Sequence, residues 1–120
     1  MDDPERVEAI RSPDETPSLD LVFDVLSERR RRYALYHLRE VPDGVAPVSD
    51  VVDYVYHSEG GSDGSRADLR LSIRTALQHV HLPKLENAGF IEYDERSETI
   101  RYWRQPSLDE WLEHAFYKEL

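Results

Sequence analysis

The chain has 120 residues, 39% hydrophobic and 10% aromatic, with 25 acidic against 15 basic side chains and a formal net charge of −10. That is enough apolar material for one packed domain, but no apolar run approaches the ~20 residues a membrane span needs. Cysteine is absent, which excludes disulfides, thiolate metal sites and cysteine nucleophiles together.

Residues 1–17 hold Asp2, Asp3, Glu5, Glu8, Asp14 and Glu15 among three prolines. They read as an acidic mobile arm, the opposite of a signal or transit peptide, so a cytoplasmic location is expected. Ser18 is a suitable N-cap, with Asp20 in the first turn where the helix dipole favours an anion. Leu21, Val22, Val25 and Leu26 give the first helix its apolar stripe. Ser27 is expected to cap a second helix with Ala34, Leu35 and Leu38 on its apolar side, ended by the turn residues "PDG" at 42–44. "VAPV" (45–48) reads as a short extended piece that Pro47 confines to a sheet edge. Ser49 is expected to cap a third helix, in which Val51, Val52 and Val55 recur at helical spacing.

"SEGGSDGS" (58–65) is a glycine-rich connection. From Arg66 to Ala88 the apolar positions Leu69, Ile73, Ala76, Leu77 and Val80 fall on one face of a long helix. Pro83 lies inside that segment and predicts a kink or break near His79–Leu82, with Gly89 as the C-terminal stop. "FIEYD" and "ETIRYW" alternate around "ERS" as a β-hairpin spanning 90–103. Pro106, Ser107 and Glu110 then look like a capping box opening a last amphipathic helix. The predicted fold class is mainly α with a small β-hairpin. Its order is helix, helix, short strand, helix, long helix, hairpin and helix.

This order resembles the winged helix-turn-helix. "LDLVFDVLSERRRRYALYHLRE" is similar to the opening helices of ArsR-like transcription regulators. "LPKLENAGFIEYDE" resembles the end of their recognition helix and its passage into the wing. Together with "HVHLPKL" the segments look like a haloarchaeal winged helix-turn-helix family, and the resemblance covers roughly residues 19–104. It implies an arm at 1–17, a winged helix-turn-helix domain at 18–104 and a C-terminal helix at 105–120. The function it implies is that of a sequence-specific transcription regulator, with a recognition helix within 66–88 and a wing at 90–103. The sequence departs from the ArsR pattern in its long loop before the recognition helix, in Pro83, and in the acidic wing of Glu92, Asp94, Glu95 and Glu98 around Arg96.

The residues themselves bear on that reading. Over 66–84 the cations Arg66, Arg70, Arg74 and Lys84 face only Asp68, in a chain otherwise rich in carboxylates. Arg74, Thr75 and Gln78 fall roughly opposite the apolar stripe, and arginine and glutamine can make bidentate contacts to guanine and adenine in the major groove. The expected partner is double-stranded DNA, touched by Arg66, Arg70, Arg74, Thr75, Gln78 and Arg96. The alternative for these residues is a solvated helix face. Arg29–Arg32 start a helix on four successive sides, so they cannot form one flat clamp. Cations there are mildly unfavourable and need anions, either phosphates or Asp20, Asp24 and Glu28. A split is expected, with one or two of the four ion-paired inside and the rest, among them Arg30 and Arg31, near the DNA backbone.

His79 and His81, two residues apart on a helix, face nearly opposite ways, so no metal site is expected. One histidine should pack beside the wing and the other face outward. "GGSDGS" lacks the lysine and the strand–helix frame of a phosphate loop. Neither an enzyme nor a cofactor is expected. In the last helix Leu108, Trp111, Leu112, Ala115 and Phe116 form a stripe that must bury against something. It packs either on its own domain or, as the resemblance implies, across a homodimer interface. A second functional class stays open, a protein-interaction module whose acidic surface docks a protein partner without binding DNA.

Of the 15 basic residues only Lys84 and Lys118 are lysines, a composition similar to that of proteins from extreme halophiles. On that reading the melting temperature rises with potassium chloride as carboxylate repulsion is screened. A melting temperature unchanged between dilute and multimolar salt would sink the halophilic reading.

Overall fold

Ser18 caps the first helix as expected: its hydroxyl accepts the Leu21 N–H at 3.1 Å and opens helix α1, Leu19–Leu26. The computed structural model describes residues 16–61 and 66–119. Residues 1–15 of the expected acidic arm lie outside the described residues, and Pro17 is buried. Val22, Val25 and Leu26 face the core.

Ser27 ends α1 instead of capping the next helix. It sits in helical conformation, and its hydroxyl donates back to the Asp24 carbonyl at 2.6 Å. Helix α2, Arg29–Glu40, begins after Glu28, which is extended and makes no side-chain cap. The turn at 42–44 closes through the Gly44 N–H on the Val41 carbonyl at 3.0 Å, with Gly44 at a φ of 74°. Strand β1, Val45–Pro47, is an edge strand, which tolerates proline. Helix α3, Val48–Ser58, starts before Ser49 because its first N–H already has a partner, the Glu98 carbonyl at 2.9 Å.

The long segment is helix α4, Ala67–Ala76, a π-helical turn at Leu77–His81, and helix α5, Leu82–Asn87. Pro83 has no N–H to give the carbonyl four residues back, and its ring crowds that carbonyl. The helix widens just before it, the Leu82 N–H reaching the Leu77 carbonyl five residues back. The extra residue rotates the stripe. Val80, expected inside, is 54% exposed, and His81 turns in at 8%. Gly89, at a φ of 83°, ends α5 with a Schellman pair: Gly89 N–H to the Glu86 carbonyl at 3.0 Å and Phe90 N–H to Leu85 at 3.1 Å.

Strands β2, Ile91–Asp94, and β3, Thr99–Tyr102, form the hairpin, and β1 pairs with β3 on its other side. The sheet is antiparallel throughout, with Ile91 opposite Tyr102 and Ala46 opposite Ile100. Ile91, Ile100 and Tyr102 point into the core with Phe90.

Helix α6, Pro106–Glu119, returns across α1 and α2. Its cap is Gln105, whose side-chain oxygen accepts the Ser107 N–H at 2.8 Å and the Leu108 N–H at 3.3 Å. Pro106 is already helical, so Ser107 lies too far along to cap, which corrects the expected box. Phe116 meets Tyr36 edge-on with ring centroids 5.2 Å apart, and Trp111 meets Phe23 at 5.1 Å. Leu108 and Leu112 are fully buried in their own chain, and Trp111, Ala115 and Phe116 are half-buried on the same core. The stripe thus packs intramolecularly, which removes Leu108 and Leu112 from any contact with a second chain. The architecture is mainly helical with a small three-stranded antiparallel sheet, and among the described residues no helix is long and apolar enough to cross a membrane.

Leu112→Ala is expected to lower the stability of the domain by about 2–5 kcal/mol. Urea melts should show the same loss at low and high protein concentration. A loss confined to the dissociation of an oligomer would place this side chain between chains.

Candidate nucleic-acid interface

Helix α4 and the π turn that continues it direct Leu69, Ile73 and Leu77 toward the core and leave an outer face carrying Leu71, Ser72, Thr75 and His79, all exposed. Leu71 is 64% exposed, an unusual placement for a leucine in the middle of a helix. Leu71 is absent from the contact residues expected from the sequence. Its signal was the helical period, which sets residue 71 beside Thr75 and Gln78 and away from the apolar stripe.

Arginines line this face, and each has an anion. Arg66 Nε lies 3.2 Å from Asp68. Arg70 pairs with Asp53 of α3, its guanidinium lying 4.1 Å from the Tyr56 ring centroid. Arg74 reaches Glu98 in the hairpin turn at 2.9 Å. Gln78 donates to the Tyr93 hydroxyl on β2 at 3.2 Å. Arg74 and Gln78 therefore tie the helix to the hairpin, and the Val48–Glu98 bond ties α3 to the same turn. Asp53, Tyr93 and Glu98 are partners that only the fold could reveal, because they come from α3 and the hairpin. Glu98, at a φ of 56°, accepts from two neighbours at once, the Val48 N–H at its carbonyl and Arg74 at its carboxylate. Arg96 stands exposed in that turn, its N–H donating to Asp94 at 3.0 Å.

Arg30 and Arg31 do not join this group. Arg30 makes a two-pronged pair with Glu59 at 2.6 and 3.1 Å. Arg31 is only 4% exposed, and its guanidinium donates to the carbonyls of Val25 at 2.8 Å and Asp24 at 2.9 Å. A guanidinium spent inside the domain reaches no backbone phosphate, so the expected role of Arg31 is corrected. Arg32 pairs with Glu119 at 2.9 Å, leaving Arg29 as the exposed member of the quartet.

Residues 23–101 match a family described as a domain of unknown function, DUF7344. The chain belongs to that family. No curated protein and no solved structure matches it. The DUF7344 segment runs from within α1 to β3, taking in α4 and the hairpin and leaving α6 outside.

His79 and His81 occupy different surroundings, one exposed and one buried. His81 Nδ1 lies 3.3 Å from Arg31, so the neutral ring accepts from the guanidinium. Burial, and then the Arg31 charge, hold its pKa below the ordinary imidazole value, against a weaker opposing pull from Glu28. A depressed histidine favours the folded state above the ordinary value of 6.5. That contribution is lost as the pH falls below 6.5 toward the folded value, where the folded state resists the proton that the unfolded chain takes up. Stability is therefore expected to fall as the pH drops through and below 6.5. His81→Asn, which keeps an acceptor for Arg31, should flatten that slope in urea titrations. His37 is shifted in the same direction by burial, so the difference between the two proteins isolates His81. Equal slopes would show that His81 carries no such linkage.

Proposed function

We propose that this chain is a winged helix-turn-helix DNA-binding protein that regulates transcription, related to the ArsR-like regulators and haloarchaeal in character. The observation that carries this reading is the exposed outer face of α4, bordered by Arg66, Arg70 and Arg74 and braced by the hairpin through Arg74 and Gln78. In this reading α4 enters the major groove, the hairpin acts as the wing, and Arg96 reaches the adjacent backbone. The carboxylates paired with the arginines do not forbid it. Exposed pairs of the Arg74–Glu98 kind contribute only about 0–1 kcal/mol, so a phosphate oxygen can replace the carboxylate at little cost.

The chain is further proposed to work as a cytoplasmic homodimer. Leu19 and Phe23 remain exposed after α6 has packed, Phe23 edge-on to Trp111, and they supply an apolar surface for a second copy. A second reading, a protein-interaction module, is favoured by the exposed Glu92, Asp94 and Glu95 of the hairpin, which would dock a basic protein partner.

Selection from a random duplex library at high salt should enrich one sequence. On that site Arg70→Ala and Arg74→Ala are expected to weaken binding to all sequences alike and to lower the salt slope by about one each, as lost phosphate contacts do. The absence of any enriched sequence would overturn the DNA reading in favour of the interaction module.

A further inference from the structure

Gln78 and His81 belong to one π turn and reach different parts of the molecule. Gln78 donates to the Tyr93 hydroxyl on the hairpin at 3.2 Å, whereas His81, 8% exposed, turns in to Arg31 of α2. The His81 Nδ1 lies 3.3 Å from a guanidinium that can only donate, so the contact needs the neutral ring. A proton on Nδ1 removes the acceptor and sets two cations against each other in a buried place. The surroundings do not offset it. Burial opposes the charge first; then Arg31 opposes it, Glu28 favours it and Arg30 opposes it again, in falling order. Of the charged groups on the elements packed against the turn, Lys84 of α5 already holds the Asp24 carboxylate of α1 at 2.6 Å, and Arg74 of α4 holds Glu98 at 2.9 Å.

Arg31 keeps its other acceptors when His81 is charged. The carbonyls of Val25 and Asp24 and the Ser27 hydroxyl still hold it at the junction of α1 and α2. Leu77 and Leu82, both fully buried, anchor the two ends of the turn. What gives is the stretch between them, whose outer side already carries the exposed His79 and Val80. We propose that this π turn is a pH-sensitive joint: protonation releases His81 from Arg31, the turn shifts, and Gln78 lets go of Tyr93. The hairpin is thereby loosened from the long helix but not detached, because Arg74 stays on Glu98 and the Glu86 carboxylate stays on the Tyr93 N–H. The device acts within the fold and does not depend on what α4 binds.

The test is nuclear magnetic resonance of the whole chain, titrated from about pH 8 to about pH 5, the range in which imidazole changes charge. The His81 ring should titrate with a midpoint below 6.5, and the Tyr93 ring and Gln78 side-chain amide signals should shift with that same midpoint. His81→Asn, which keeps an acceptor for Arg31 but takes up no proton, should hold the Tyr93 signals still. His79→Asn, which removes the exposed histidine of the same turn, should leave the Tyr93 response as in the wild type. Tyr93 signals that stay fixed while His81 titrates overturn the proposal, as does a response that survives His81→Asn or vanishes with His79→Asn. Loss of the whole folded spectrum at the His81 midpoint also overturns it, because the proton then unfolds the domain instead of moving one turn. If His81→Asn does not fold, the wild-type titration and His79→Asn decide between these outcomes.

Discussion

A single buried guanidinium holds the helical part of this molecule in register. Arg31 rises from the first turn of α2 and donates to the Val25 and Asp24 carbonyls at the end of α1, with Ser27 Oγ at 3.5 Å and His81 Nδ1 at 3.3 Å. The last carbonyls of a helix have no partner within it and carry the negative end of its dipole, so they accept a cation well. A buried charge without acceptors costs several kcal/mol, which makes the alternative placements of Arg31 expensive. The same side chain reaches the π turn. It thereby fixes where α1, α2 and the long helical segment meet, and with them the direction in which α4 presents its outer face.

The three neighbouring arginines extend this logic outward. Successive residues of a helix point about 100° apart, so four consecutive cations reach four surroundings. Arg30 joins α2 to the end of α3 through Glu59, and Arg32 joins it to α6 through Glu119, which also accepts the Tyr36 hydroxyl at 2.6 Å. At the other end of α2, Arg39 reaches Asp109 at 3.1 Å, an oxygen shared with Tyr102 and Arg104. In an acidic chain the arginines thus serve as cross-links between elements. Partly exposed pairs add little energy singly, but each restricts how two helices can sit. They also explain why cations are tolerated at the start of α2, where the dipole opposes them.

The candidate interface is built from what this scaffold leaves over. Core packing takes Leu69, Ile73 and Leu77, the hairpin takes Arg74 and Gln78, and α3 takes Arg70. What remains outward is a narrow strip of Leu71, Ser72, Thr75 and His79. Both of its flanks are tied to neighbouring elements, α3 on one side and the hairpin on the other.

Much of this could be read from the amino acids alone because it depends on local rules. Ser18 as a cap, "PDG" as a turn, Gly89 as a stop, Pro47 at an edge and the alternation of the hairpin each follow from the chemistry of a few neighbouring residues. Pro83 announced a disturbance of the long helix for the same reason. The sequence could not say that the disturbance is a wide turn that turns Val80 out and His81 in, since adding one residue to a turn depends on what packs against it. Ser27, Ser49 and Ser107 were credible caps, but Glu98 from the hairpin satisfied one helix start and Gln105 another. Which of four arginines is buried, and which carboxylates hold the rest, depended on partners up to 87 residues away in the chain. Periodicity determines which side chains share a face; only the folded arrangement of helices decides what that face meets, because ion pairs and burial are set by distance in space.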